Sequence, residues 1–392
     1  MDKKLKIGFF IDTFYPMVDG VVTVVDNLAT LLSDKCDVTV FTVAPADKTK
    51  VDTKEHKYNV VRCKSSKLFF LDYDLPRPGS DKVFLQELNN SDLDLVYFHS
   101  PMSLAKYAIK YAKEKNIPIM SHMHSQYKRD FKRATHSKLL TNILMNKIMK
   151  VFNESDCAVA VNEWTEELYL KEYGLTCPTR VIYNATNMTP LENIELAKEE
   201  INKEYGLSKD EKIFLFVGRI NKLKNIAFTI DALKLLNKKY QNFKFLIVGS
   251  GKDSESFKKQ AKALGIEDKV VFVGRVMDIE KLKKLYARAD LFLFPSKYDT
   301  DGLVKMEAAA QGTPTVFIDG TGAASSITPD ETGFISDDNI EDFADTIFKA
   351  ITDKALYNKV SKNVTTQVYR TWYQSADEVY KLMLELIGKK NN

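Results

Sequence analysis

The chain has no run approaching the roughly 18 apolar residues that a membrane-spanning helix requires, so none is predicted. Its four cysteines, Cys36, Cys63, Cys157 and Cys177, form no Cys-x-x-Cys pair and no Cys/His cluster, and His-Glu-x-x-His is absent. These absences argue against a zinc site, and no resident metal or cofactor is expected. The expectation is instead reduced, mostly buried thiols in a cytosolic protein. The first residues, MDKKLKIGFFIDTFYP, pass from charge straight into a strand-like run that carries Asp12 and lacks a small-residue cleavage site, unlike a secretory leader. There is no low-complexity stretch, short-period repeat or nucleic-acid recognition module, so nucleic acid is not an expected partner.

What is present is an ordinary globular composition, 44% apolar and 28% charged over 392 residues, long enough for two domains. Short apolar runs alternate with longer mixed stretches. Strands are predicted at 6–11, 38–43, 59–63, 93–99, 118–122, 158–161 and 180–183, with helices such as 22–32 and 104–114 between them. The second half repeats the design, with strands at 213–217, 243–248, 270–273, 291–294 and 315–318. Its helices are placed around 225–236, 254–264, 279–289, 304–311 and 340–352. This alternation implies an α/β protein with two parallel sheets, each covered on both faces. The join is expected within 187–212, where a charged helix at 193–205 precedes the next strand. In the tail, Val368, Trp372, Ala376, Val379, Tyr380, Met383 and Leu386 recur at helical spacing, which predicts packing over 363–387.

Charge is unevenly distributed. The chain is +4 overall, yet Pro101 to Lys150 holds eleven Lys and Arg against two acids, Glu114 and Asp130, a local excess of +9. Such asymmetry points to an anionic partner surface. Within it, Lys128, Arg129, Lys132, Arg133, Lys138, Lys147 and Lys150 interleave with Phe131, Leu139, Leu140, Ile143, Leu144, Met145, Ile148 and Met149 in a basic amphipathic helical region. An anionic membrane fits this pattern, because each cation near the surface contributes about 1 kcal/mol and the apolar face can lie at the interface. The competing reading is a solvated cationic face over an ordinary buried stripe.

The most informative stretch is Ser296 to Pro314, SKYDTDGLVKMEAAAQGTP, which follows the apolar run Leu291-Phe292-Leu293-Phe294. A turn through Asp299-Thr300-Asp301-Gly302 leads into a helix predicted from about Leu303, with Glu307 eight positions after Asp299. That places both carboxylates at the C-terminal edge of a parallel sheet, where ligands bind. Free amides of a turn and helix N-terminus favour an anionic oxygen there, so a ligand with both phosphate and hydroxyls suits the site.

The segment resembles the E-x7-E motif of retaining GT-B glycosyltransferases of family four, with Asp299 in the first acidic position and Glu307 in the second. Asp in place of the usual Glu shortens the reach by one methylene. The resemblance implies that Asp299 contacts the donor sugar and Glu307 the nucleotide ribose, with Thr300, Asp301, Gly302 and Leu303 lining the donor. Gly218-Arg219 through Lys224-Asn225 is similar to the family's GR-x4-K-N element. Arg219 and Lys224 would then neutralise a diphosphate and stabilise the departing nucleotide. Gly249, in Val248-Gly249-Ser250-Gly251, matches a glycine turn that lets a ligand approach the backbone. The fold implied is GT-B, with two Rossmann-like domains facing across a cleft and a final helix crossing back. Residues 1–188 plus about 370–392 would bind the acceptor, and 189–369 the nucleotide-sugar.

In the first half the family's glycine-rich loop reads Asp12 to Val22, with only Gly20 of the usual glycine pair and Asp19 before it. Gly20 could approach the donor phosphates, while Asp19 reads equally as a helix-entry residue. His122 and His124, two apart on a strand, point the same way. That arrangement could suit a metal, but no third ligand is visible. The family pattern puts His124 beside the donor sugar as a neutral imidazole. His99 is a further candidate on the acceptor side, next to the membrane surface assigned to Lys128, Arg129, Lys132 and Arg133.

Diacylglycerol glucosyltransferases are the similar relatives, since DTDGLV resembles their ETQGLV pattern. The expected activity is retaining, metal-independent transfer of a hexose from a UDP-linked sugar to a membrane lipid, at the inner face of the cell membrane. Two alternatives are a soluble transferase acting on a sugar, polysaccharide or small molecule, and a catalytically impaired nucleotide-sugar-binding protein.

Overall fold

The apolar runs become strands because both of their faces are covered. Phe9, Phe10, Val40, Phe41, Val96 and Phe98 in the first half, and Phe214, Leu215, Phe245, Ile247, Phe292 and Leu293 in the second, are at most 1% exposed. The computed structural model describes residues 4–67 and 73–391. The chain divides into unit 1, Met1–Asn184 with Trp372–Asn392, and unit 2, Ala185–Thr371.

Unit 1 runs β1 (Leu5–Phe10), α1 (Gly20–Leu32), β2 (Cys36–Val43), β3 (Asn59–Cys63), the antiparallel pair β4 (Ser65–Lys67) and β5 (Asp74–Pro76), α2 (Lys82–Asn90), β6 (Leu95–Phe98) and α3 (Ser103–Lys115). It continues through β7 (Ile119–Met123), α4 (Tyr127–Thr135), α5 (Lys138–Phe152), β8 (Cys157–Ala160), α6 (Glu163–Glu167) and β9 (Thr179–Val181). Its seven-stranded sheet has the order β3-β2-β1-β6-β7-β8-β9, parallel throughout. The order turns back between β1 and β6, where successive connections leave in opposite directions.

Unit 2 runs α7 (Ile194–Tyr205), β10 (Lys212–Val217), α8 (Ile226–Lys239), β11 (Phe243–Val248), α9 (Ser254–Ala263), β12 (Val270–Gly274), α10 (Ile279–Arg288) and β13 (Leu291–Phe294). It ends with α11 (Val304–Ala310), β14 (Thr315–Ile318), β15 (Phe334–Ser336), α12 (Ile340–Thr352) and α13 (Lys354–Gln367). The sheet order is β12-β11-β10-β13-β14-β15, again parallel, with the reversal between β10 and β13. The last helix, α14 (Trp372–Asn391), belongs to unit 1, where it packs on α1.

Two helical regions divide further than their periodicity shows. The basic region 127–152 is two helices, because His136 takes a left-handed φ of 50° and Ser137 then caps α5 by accepting the Leu140 amide at 3.3 Å. The tail helix is likewise interrupted. α13 stops at Gln367, Thr371 bridges to Thr186 in extended backbone, and only then does α14 begin. All four cysteines are free thiols and buried, as expected. Among the described residues no helix is long and apolar enough to cross a membrane.

Candidate active site

In unit 2 the loops that leave β10 and β13 meet at the reversal of strand order. After β10, Asn221 Oδ1 accepts the amides of Leu223 and Lys224 at 3.0 and 3.3 Å, which coils the loop. Asn225 then adopts φ 59°, a left-handed conformation that asparagine tolerates, and its Nδ2 donates to Pro295 O at 3.2 Å. This link holds the end of one loop against the start of the other. As a result Lys224 Nζ donates to both carboxylate oxygens of Asp299, at 2.6 and 2.8 Å. The pair is partly buried, its side chains 21% and 19% exposed. Arg219, just after β10, is exposed and makes no ion pair among the described residues.

Glu307 lies in the first turn of α11. That helix has only seven residues, too short to supply much of a macrodipole, so fixed cations are the stronger anion-binding elements here. Tyr286 on α10 donates its hydroxyl to Glu307 Oε2 at 2.8 Å. Burial pushes the Glu307 carboxyl above its ordinary value, against this hydrogen bond, which favours the ionised form. Asp301, expected at the donor, is instead committed inside: its carboxylate pairs with Lys305 at 2.6 Å, with both side chains about 95% buried. Lys305 also donates to Ala323 O at 3.1 Å and Ser326 Oγ at 3.0 Å, tying the 320–326 loop to the acidic turn. Gly302 has φ 78°, and a Cβ there would meet the Phe294 ring at 2.7 Å. Thr300 and Leu303 flank this turn and are half-buried.

Gly249 has a reason the sequence does not reveal. It has φ 140°, and a Cβ would stand 1.9 Å from Gly218 O. Gly251 would strike Ile220 O at the same distance. These glycines let the β11 loop press on the β10 loop, and this packing is sufficient to require them without any ligand. Gly20 differs: it is exposed at the start of α1, and nothing lies within 4 Å of the Cβ position. Asp19 is the helix cap, accepting the Val22 amide at 2.9 Å.

In unit 1, His122 and His124 do share a face, and the third histidine is His99. Expected toward the acceptor, His99 is in fact only 1% exposed, and its Nδ1 lies 3.0 Å from His124 Nε2. Its strand neighbours β7, so residue 99 falls beside residues 122 and 124. Tyr97 OH lies 2.7 Å from His122 Nδ1. One ring nitrogen from each histidine lies within 4.8 Å of the others, which could hold a metal ion. His122 stacks on His124 at 4.0 Å and 29°, while His99 meets His124 edge to edge, 19° from coplanar with centroids 5.3 Å apart. His99 Nδ1 and His124 Nε2 already face each other across a hydrogen bond, which an ion would have to break. Burial lowers all three pKa values, that of His124 to about 3, so the stack is neutral near pH 7.

Asp12 lies just beyond β1, at the strand-order reversal of unit 1. It is 8% exposed, and burial raises its pKa to about 7. Its Oδ1 accepts the Leu104 amide at 3.1 Å, capping α3 from a different element. Lys128, Arg129, Lys132 and Arg133 are exposed on α4, with Arg133 3.4 Å from Asp130. On α5, Leu139, Leu140 and Ile143 are 71%, 49% and 42% exposed, so part of the apolar stripe faces outward.

Comparison with known proteins agrees with this architecture. Residues 18–189 match the family described as Glycosyltransferase Family 4, and residues 197–367 match Glycosyl transferases group 1. By these two domains the chain belongs to the group 1/family 4 glycosyltransferases of GT-B fold. It is 28% identical over 318 residues to the alpha-monoglucosyldiacylglycerol synthase of Streptococcus pneumoniae, covering 80% of this chain and 70% of that one. To the Acholeplasma laidlawii protein of the same name it is 26% identical, covering 99% and 98%. N-acetyl-alpha-D-glucosaminyl L-malate synthase of Bacillus anthracis is 25% identical, at 93% and 92% coverage. Among solved structures, the Thermosynechococcus elongatus sucrose-phosphate synthase superposes with a TM-score of 0.82 at 21% identity, covering 98% of this chain and all of that one. The Anabaena HepE complex with UDP gives 0.79 at 18% identity, covering 97% and 100%.

Proposed function

We propose that this glycosyltransferase moves a hexose from a UDP-linked sugar, such as UDP-glucose, to a membrane glycerolipid such as diacylglycerol, with retention of configuration and without a divalent metal. The observation that carries the donor half is the Lys224–Asp299 contact at the unit 2 strand-order reversal. A donor diphosphate would draw Lys224 from Asp299 and engage Arg219, releasing the Asp299 carboxylate to accept from the sugar hydroxyls. Glu307, once ionised, would accept from the ribose hydroxyls. In the reaction the acceptor oxygen attacks the anomeric carbon on the face from which the phosphate leaves. The acceptor proton passes to the departing phosphate oxygen, whose charge the two cations stabilise.

The lipid acceptor is supported by the exposed Leu139, Leu140 and Ile143 beside the four cations of α4, and by the names of the two glucosyldiacylglycerol synthases. A soluble acceptor is the second reading, favoured by the name of the N-acetyl-alpha-D-glucosaminyl L-malate synthase, a relative of near-equal coverage. Transfer of labelled glucose from UDP-glucose to diacylglycerol in phosphatidylglycerol vesicles separates them: labelled lipid supports the first, and labelled water-soluble product alone refutes it. Reversing Lys128, Arg129, Lys132 and Arg133 to Glu is expected to release the protein from those vesicles, at about 1 kcal/mol for each cation lost, with UDP affinity unchanged. Persistent vesicle binding in sedimentation would remove the patch as anchor.

A further inference from the structure

The three-histidine stack contains more information than its neutrality. His99 Nδ1 and His124 Nε2 are 3.0 Å apart, so one of them carries the shared proton and the other accepts it. The remaining nitrogen of His99, Nε2, is buried without a partner among the described residues. A buried N–H with no acceptor is rarer and costlier than a buried acceptor with no donor. The lower-cost arrangement therefore protonates His99 at Nδ1 and leaves its Nε2 bare. His99 Nδ1–H then donates to His124 Nε2, and a neutral His124 must carry its own proton on Nδ1.

We infer that His99 is a positioning residue: through its hydrogen bond to His124 Nε2 it holds His124 in the Nδ1–H tautomer and fixes the orientation of its ring. The surrounding packing holds this geometry. His99 lies near-parallel to Phe9, with centroids 5.4 Å apart, and meets His124 edge to edge, with centroids 5.3 Å apart. His122 lies 4.0 Å from His124 and 5.2 Å from His99, completing a triangle of rings. The backbone is fixed as well, since the His99 amide donates to Phe10 O at 2.8 Å. The consequence for catalysis rests on the proposed reading of His124 as a donor-sugar contact. In that reading the ring presents no donor at Nε2.

The tautomer can be read without any substrate. The chain has five histidines, so ring nitrogen-15 spectra of the full-length protein can be assigned by single substitutions. The expected wild-type spectrum shows His124 protonated at Nδ1 and unprotonated at Nε2. His99→Asn places an amide donor near the original Nδ1 position and should keep both this signature and most of the turnover with UDP-glucose. His99→Leu removes the donor, so the His124 proton should shift toward Nε2 and kcat should fall about tenfold, the equivalent of one hydrogen bond. Protonation of wild-type His124 at Nε2, or an unchanged Nδ1–H signal in His99→Leu, overturns the proposal. A changed tautomer with unchanged kcat removes His124 from the reaction and with it the positioning role. Melting curves of the two variants separate loss of folding from loss of tautomer control.

Discussion

At the β10–β13 edge of unit 2, Arg219 is exposed, Lys224 and Asp299 are bound to each other, and Glu307 is held by a tyrosine. At the β1–β6 edge of unit 1 the ionisable groups are a neutral histidine stack and a carboxylate whose pKa is raised to about 7. The two units share a strand order up to the reversal and beyond it, yet one edge presents charge and the other suppresses it. A doubly wound sheet supplies only the location of a site. Its chemistry depends on how deeply each loop is buried. Charged groups near solvent suit a phosphate, whereas hydroxyl recognition can be left to neutral donors and acceptors with fixed tautomers.

The contrast can be broken at its charged edge first. Lys224→Ala should lower kcat about a hundredfold, the typical loss for one group that stabilises a developing anion, while leaving the melting temperature nearly unchanged. Initial rates with UDP-glucose check this, and a drop of only two- or threefold would shift the burden to Arg219 alone. A smaller effect is expected from Glu307→Gln. It keeps a partner for Tyr286 but loses the charge, and should weaken UDP by about tenfold in calorimetry.

The neutral edge makes its own prediction, in stability. His124 has a folded pKa near 3 against an ordinary 6.5, and His99 and His122 are also depressed. The folded state therefore binds fewer protons than the unfolded state between these values. The stability from a neutral stack is fully present above about pH 6.5 and is lost as pH falls toward 3. Asp12 works in the opposite sense: its ordinary value is 3.8 and its folded value about 7, so its contribution declines as pH rises through that interval. His122→Phe should reduce the acid-side slope of unfolding free energy by up to about 1.4 kcal/mol per pH unit, the share of one proton. Denaturant titrations across that range test it, and an unchanged slope would mean that His122 does not titrate with unfolding.

Much of the fold was legible because buried parallel strands write themselves as uninterrupted apolar runs. The strands at 59–63, 243–248, 291–294 and 315–318 have the boundaries expected. The two reversal points were not legible as such, since strand order is a long-range property. Local motifs nevertheless placed Lys224 and Asp299, now in contact, because each sits within a few residues of its own strand end. What failed to show in the sequence were interactions between distant segments. The partnership of His99 with His124 spans 25 positions. The buried Asp301–Lys305 pair is anchored by Lys305 reaching the carbonyl of Ala323, 18 residues downstream. Gly249 and Gly20 looked alike as text, yet a Cβ at the first would strike a neighbouring loop, while a Cβ at the second would meet no described residue beyond its own helix.

The chain leaves unit 1 at Asn184 and re-enters it at Trp372, with Thr186 N–H donating to Arg370 O at 3.0 Å to stitch the two crossings together. Unit 2 is thus a continuous insertion, whereas unit 1 is discontinuous. During synthesis the inserted portion can finish folding as soon as it emerges, but its host cannot be completed until the closing helix arrives. Until then the face of α1 that receives α14 stays uncovered, which makes the nascent first unit the more vulnerable to chaperone capture or misassociation.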